Sequence, residues 1–349
     1  QLTQTQAWDL LHTQIHLRPL WAQQRAAGTA LLRLRPHFYA TDSLVLDAKG
    51  FLLNEVALVT KQDTTALRYR YDSLRLHLAL PRTFTRKDTA RIFIRYTARP
   101  NELKHLLPTE GSQAIFSNKG LYFIDPQDTL AWKPRQLWTQ GQTAASSCWF
   151  PTLDRPNARS TQELSIRVDT SLTTLSNGVR FGQQYHNDGT RTDTWVLAQP
   201  HAPYLFMLAV GPFVRVQDHW RGRPVTYYLE KEYAPHARLI FGDTPEMLAH
   251  FSELLGVEYP WPKYAQVVVR DFVSGAMENT TASLFMEEVA HDARAHLDET
   301  HEDIISHELF HHWFELSRSY PLFFHQMNQL HVEPVNKRYL CLCTHLRTF

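Results

Sequence analysis

Through much of the first two hundred positions, apolar and polar residues alternate with a period of two. Thr29 to Arg35 reads T-A-L-L-R-L-R, and Leu67 to Leu80 reads L-R-Y-R-Y-D-S-L-R-L-H-L-A-L. Ala90 to Ala98 adds A-R-I-F-I-R-Y-T-A, and Glu163 to Val168 adds E-L-S-I-R-V. Arg and His on the alternate positions mean one dry and one wet face, the signature of antiparallel strands. Prolines and clusters of Gly, Asn and Asp separate the runs. The pattern predicts an all-β antiparallel sandwich up to about Gly211.

Beyond that point the period lengthens. Thr244-Pro245 opens E-M-L-A-H-F-S-E-L-L, with apolar residues three and four apart, and Gly256 closes it. Proline in the first turn and glycine just past the end bound a helix. Gln266 to Val269 reads as a short buried strand. A second helix is expected to open at Thr300, with Asp303 as its capping-box partner, and to run through Ile304 to Phe314. A β domain over 1–215 therefore precedes an α/β segment over 216–314, the boundary lying near Pro212 to Pro224.

Composition narrows the function little. A net charge of +1 and a pI near 8.0 give no electrostatic footprint for nucleic acid. No apolar run is long enough to span a bilayer. Cys148, Cys341 and Cys343 make neither a disulfide framework nor a zinc-finger pair. A start at Gln1 fits a removed leader or a fragment, and a periplasmic or secreted setting is expected over a cytoplasmic one.

Chemistry concentrates in the second helix. His307-Glu308-Leu309-Phe310-His311 is an HExxH pattern. Residues four apart share a helix face, so both imidazoles can reach one ion, with Glu308 placed to take a proton from water that the ion acidifies. Two unrelated surface histidines are the bland reading, and the motif alone does not exclude it. About thirty residues upstream lies Gly275-Ala276-Met277-Glu278-Asn279.

Together the two motifs resemble those of the gluzincin aminopeptidases, the aminopeptidase N-like family that includes leukotriene hydrolase. Trp138-Thr139-Gln140-Gly141-Gln142, Trp149-Phe150-Pro151 and Asp154-Arg155-Pro156-Asn157 are similar to a further family segment, and the likeness runs from about Ile15 to Phe314, closest to bacterial members. The resemblance implies a saddle-like β-sandwich followed by the incomplete start of a thermolysin-like α/β catalytic domain. It implies one Zn2+ held by His307 and His311, and Glu308 as the catalytic base. It also implies Glu278, Gln140 and Gln142 at the substrate's amino end, with Gly275, Ala276, Met277 and Asn279 along its backbone. The partners implied are peptides with a free N-terminus. Many relatives carry glutamate where this chain has Gln142.

Past Phe314 the likeness ends. The family's third ligand, a glutamate nineteen residues after the second histidine, is replaced by Leu330. The expectation for 315–349 is a divergent tail, out of frame or disordered. Its candidate substitute ligands are Glu315, His325, His331 and Glu333, and Cys341 and Cys343 are two tail thiols. Two histidines under-coordinate zinc, so the expected state is a truncated enzyme without measurable turnover. The alternatives are a non-catalytic peptide-binding module on this scaffold, an epoxide-type hydrolase of the same family, and, less in keeping with Glu278, an endopeptidase.

Overall fold

The computed structural model describes residues 6–105 and 117–314. The tail 315–349, with Leu330, its candidate substitute ligands and both tail cysteines, lies outside the described residues. The chain separates into two compact units, divided between Gly211 and Pro212.

The first unit is built from three sheets. The largest has eight strands in the spatial order Val179–Tyr185, Thr190–His201, Ser160–Asp169, Trp8–Leu20, Arg25–Pro36, Ala90–Ala98, Leu52–Val59 and Thr64–Ala66. A three-stranded sheet (Thr41–Asp47, Arg75–Phe84, Arg68–Tyr71) and a four-stranded one (Thr173–Ser176, Leu208–Gly211, Gln136–Thr139, Leu121–Ile124) share its core. Leu32 and Ile94 from the large sheet, Leu44 and Leu78 from the second, and Leu137 and Leu208 from the third are all buried in one apolar cluster. The alternation in the sequence is thus the alternation between this core and solvent.

Two features differ from the sequence expectation. The sandwich is not wholly antiparallel, because Trp8–Leu20 pairs in parallel with Ser160–Asp169, His12 lying opposite Thr161 and Leu17 opposite Ile166. The run Leu67 to Leu80 is also not one strand. It folds back between Arg68–Tyr71 and Arg75–Phe84. The Asp72 carboxylate accepts from the amides of Leu74 (2.9 Å) and Arg75 (2.6 Å), a local turn that competes with continued extension.

The second unit is a five-stranded sheet ordered Val214–Trp220, Arg223–Leu229, Tyr264–Val268, Ala282–Phe285 and Ala276–Met277. Its three middle strands run parallel and its two edges antiparallel. Every residue of Tyr264–Val268 and Ala282–Phe285 is buried, as strands covered on both faces require. Among the described residues three α-helices accompany the sheet: α1 (Ala237–Phe241), α2 (Thr244–Leu255) and α3 (Glu302–Phe314).

Helix α2 begins with Pro245 in its first turn and ends on Gly256 at φ +64°, whose amide reaches back to Glu253 O. It meets α3 through Phe251, whose ring lies 5.0 Å from Phe310 and 5.9 Å from Trp313. Helix α3 starts one residue later than a Thr300 cap would place it. His301, not Thr300, precedes its first turn, and the His301 carbonyl accepts from the Ile305 amide. Among the described residues no helix is long and apolar enough to cross a membrane.

Candidate active site

Helix α3 turns a mixed face toward its surroundings. Ile305, Leu309, Phe310 and Trp313 are buried, while His307 is exposed and His311 half-buried. Four residues apart, the two imidazoles converge: their Nε2 atoms are 3.1 Å apart and the rings 4.7 Å centre to centre. That spacing serves either one N–H···N hydrogen bond or two lone pairs on a single ion. Two nitrogens on a tetrahedral zinc, each about 2.0 Å from it, stand about 3.3 Å apart. The pair therefore fits two of zinc's four positions. Among the described residues no three His, Cys, Asp or Glu side chains converge on a common ion.

Glu308 lies between these histidines in sequence and is buried, 6% exposed. Burial drives its carboxyl well above the usual carboxylate range, and the negative charge of Glu278 adds to the shift. Glu278 is itself raised, chiefly by burial, with its own amide and the His307 ring acting in the opposite sense. The G-A-M-E-N segment thus brings a second carboxyl into the electrostatic reach of the HExxH helix. A dication beside the two would favour the charged forms. A buried carboxyl whose protonated and charged forms are brought closer in free energy is suited to accept and return a proton during a reaction.

The sheet places Glu278. Ala276 and Met277 pair with Phe285 and Leu284 on the sheet edge, and the Met286 amide donates to Gly275 O at 3.0 Å. A Cβ on Gly275 would lie 3.1 Å from Ile304 Cδ1 of α3, so glycine allows the segment to close against the helix. After Glu278 the chain turns, Ala282 N donating to Asn279 O at 2.9 Å. Asn279 is fully buried in this turn.

Gln140 and Gln142 belong to the first unit. They follow the strand Gln136–Thr139, and the Gln142 amide donates to Gln140 Oε1 at 3.1 Å. That donor fixes which end of the Gln140 amide is oxygen. Its buried Nε2 has no hydrogen-bond partner among the described residues, so Gln140 offers donors as well as its engaged oxygen. Gly141 between them packs with no room for a side chain: a Cβ would meet Tyr204 O at 2.3 Å.

One residue of the site escaped sequence reasoning. His312, adjacent to His311, is fully buried, and burial pushes its ring down to about 3. It sits seven residues after Ile305, on the stripe that the helical period reserves for core residues. A polar residue on that stripe was the available signal.

Comparison with known proteins follows this division. The family described as Peptidase M1 N-terminal domain matches residues 10–205, and the Peptidase family M1 domain matches residues 240–315. A glutamyl aminopeptidase of Mus musculus is 28% identical over 170 residues, covering 47% of this chain and 18% of the relative. Aminopeptidase 2, mitochondrial, of Saccharomyces cerevisiae is 27% identical over 200 residues, covering 56% and 21%. Leukotriene A-4 hydrolase of Xenopus laevis is 22% identical over 311 residues, covering 88% of this chain and 47% of the relative. The matches thus span between about a fifth and about half of those relatives' lengths.

Proposed function

Since the chain belongs to peptidase family M1, whose N-terminal domain matches more than half of its length, we propose that its protein is a zinc aminopeptidase removing residues from the N-terminus of peptides. The observation that carries this reading is the convergence of His307 and His311, 3.1 Å apart at Nε2, beside the interacting carboxyls of Glu308 and Glu278. His307 and His311 would hold the zinc. When bound, zinc polarises a peptide carbonyl and acidifies water.

The chain's own residues supply the rest. Glu308, buried beside the histidine pair, would as a carboxylate take a proton from the attacking water and return it to the departing amine. Glu278 would receive the substrate's ammonium by charge-assisted hydrogen bonds, a contact that an acetylated N-terminus cannot make. The edge strand Ala276–Met277 offers backbone groups along which a peptide could align. The assignment of Gln140 and Gln142 to the amino end rests on the resemblance alone.

Leu330 stands where the family spacing places a third donor. That favours a second reading, a peptide-binding module with a weakly held zinc and little turnover. One experiment addresses both. Hydrolysis of an alanine anilide is compared with hydrolysis of its N-acetyl form, in the wild type and in Glu308→Gln, alongside zinc per chain. Free-amine-dependent, chelator-sensitive hydrolysis lost at least 100-fold in Glu308→Gln establishes the enzyme. Amine-dependent binding without hydrolysis establishes the module. Equal handling of free and acetylated compounds overturns both readings.

A further inference from the structure

The His312 side chain ties the HExxH helix to the turn that follows Glu278. The His312 Nδ1 lies 3.4 Å from the Thr281 amide nitrogen and 3.3 Å from Tyr259 Oη, and its Nε2 lies 3.3 Å from Ser283 Oγ. A backbone N–H can only donate, so Nδ1 is the acceptor. The ring proton therefore sits on Nε2 and is directed at Ser283 Oγ. The main chain of the same residue is also held, because Trp261 Nε1 donates to His312 O at 2.9 Å. Its neighbour Trp313 donates to Val257 O at 2.9 Å.

The position of these partners matters more than their number. Thr281 and Ser283 follow Glu278 by three and five residues, across the turn closed by Ala282 N and Asn279 O. Met277 pairs directly with Leu284, the next residue after Ser283. Thr281 also hands its carbonyl to the Ala265 amide at 2.9 Å, anchoring the turn to the sheet. His312 in turn is one residue past His311 and four past Glu308. A short path of one hydrogen bond and a three-residue turn thus connects the HExxH helix with Glu278.

We propose that His312 is a positioning residue that fixes the spacing between the HExxH face of α3 and the Glu278 carboxyl, and so sets how far from a peptide's amino end the protein engages it. The proposal deepens the aminopeptidase reading and rests on it for the identity of the ligand. Apolar packing through Phe310 and Trp313 presses the helix against Phe251 of α2, whereas the His312 ring reaches the turn that follows Glu278. The ring's two nitrogens are each committed to a named partner. Without the ring, the Thr281 amide loses a buried acceptor and the turn bearing Glu278 loses this tie to the helix.

The test compares wild type, His312→Ala and His312→Gln, the amide being able to accept from Thr281 and donate to Ser283. Calorimetry with zinc-loaded protein measures binding of leucine hydroxamate and of N-acetyl-leucine hydroxamate. Amide hydrogen exchange is followed at Thr281 and over 276–285. The expected wild-type preference for the free amine is at least ten-fold. In His312→Ala it falls to within two-fold, zinc per chain stays at the wild-type value, and Thr281 exchanges about 100-fold faster while Tyr264–Val268 stays protected. His312→Gln restores both the preference and the protection.

Wild-type preference and protection in His312→Ala overturn the proposal. So does a His312→Gln variant that keeps a protected sheet yet recovers neither. If His312→Ala unfolds, the glutamine variant decides alone. If the wild type itself fails to prefer the free amine, the aminopeptidase reading has failed, and exchange at Thr281 still decides whether His312 holds the turn.

Discussion

Replacing Gly141 by alanine tests the geometry of the Gln140–Gln142 segment with a single added methyl group. That carbon would sit 2.3 Å from Tyr204 O and 2.6 Å from Ser146 Oγ. Carbon–oxygen contacts settle near about 3.2 Å, so the two chain segments must part by roughly 0.9 Å. Neither neighbour yields easily. Ser146 Oγ is committed to Pro203 O at 2.7 Å, and Tyr204 lies in the short helix Pro203–Leu205 that leads into fully buried Phe206. Gly141 O itself accepts from the Ala145 amide at 2.8 Å. Overpacking against backbone on such a site falls at the upper end of the usual range, about 3 kcal/mol. For a unit of this size that is about 6–12 °C in Tm. Thermal unfolding followed by circular dichroism measures it, with Gly182→Ala as the control, because a Cβ at Gly182 meets nothing within 4 Å. A Gly141→Ala variant melting within 2 °C of the control would refute the steric argument.

Other perturbations follow from buried charge. His201, stacked on Phe206 at 4.3 Å, is held by burial at about 3, below its unfolded value. Its contribution is therefore complete above the unfolded value and drains as pH falls, by about 3 kcal/mol between pH 7 and 4.5. His201→Phe should flatten urea-measured stability across that window, and an unchanged slope would exclude His201 as the source. Asp154 shows the opposite sign: burial raises its carboxyl to about 6, so its contribution is present at low pH and is lost as pH rises from the ordinary carboxylate range through 6. Asp154→Asn, which keeps an oxygen for the Ser147 amide and hydroxyl, should gain stability relative to wild type at pH 7 but not at pH 4. Arg191→Met leaves the fully buried Asp193 without its cation and should cost about 3–5 kcal/mol, much of it recovered by adding Asp193→Leu. A double variant no better than the single would show that packing, not charge, sets the loss.

Local pattern carried most of the architecture. Ala90–Ala98 is a strand at the bounds its alternation marks, and the Pro245 and Gly256 punctuation brackets α2. What failed was non-local or too local. The parallel pairing of Trp8–Leu20 with Ser160–Asp169 joins segments about 150 positions apart, and nothing within either strand encodes its partner's direction. At Asp72 one carboxylate outcompetes a continuing ladder, and the signal available was a change of phase in the alternation, from Leu67, Tyr69 and Tyr71 to Leu74, Leu76, Leu78 and Leu80. The chemistry divides similarly. The HExxH spacing puts His307 and His311 on one face, from which their side-chain rotamers bring the Nε2 atoms to 3.1 Å. The electrostatic link between Glu278 and Glu308 needed the sheet edge to be folded first. His312 looked like one more histidine among nineteen until its partners were visible.

The central position of Trp8–Leu20 also bears on how the chain is made. It lies between Arg25–Pro36, available almost at once, and Ser160–Asp169, which a ribosome produces some 140 residues later. At ordinary synthesis rates of about 5–20 residues per second, one side of this strand waits about 7–30 seconds with its amides and carbonyls uncommitted. An open strand edge of thirteen residues is a template for pairing with another chain. Nascent chains on one message would therefore be at risk from each other, and a holdase acting before residue 169 emerges would raise the yield more than one acting after release.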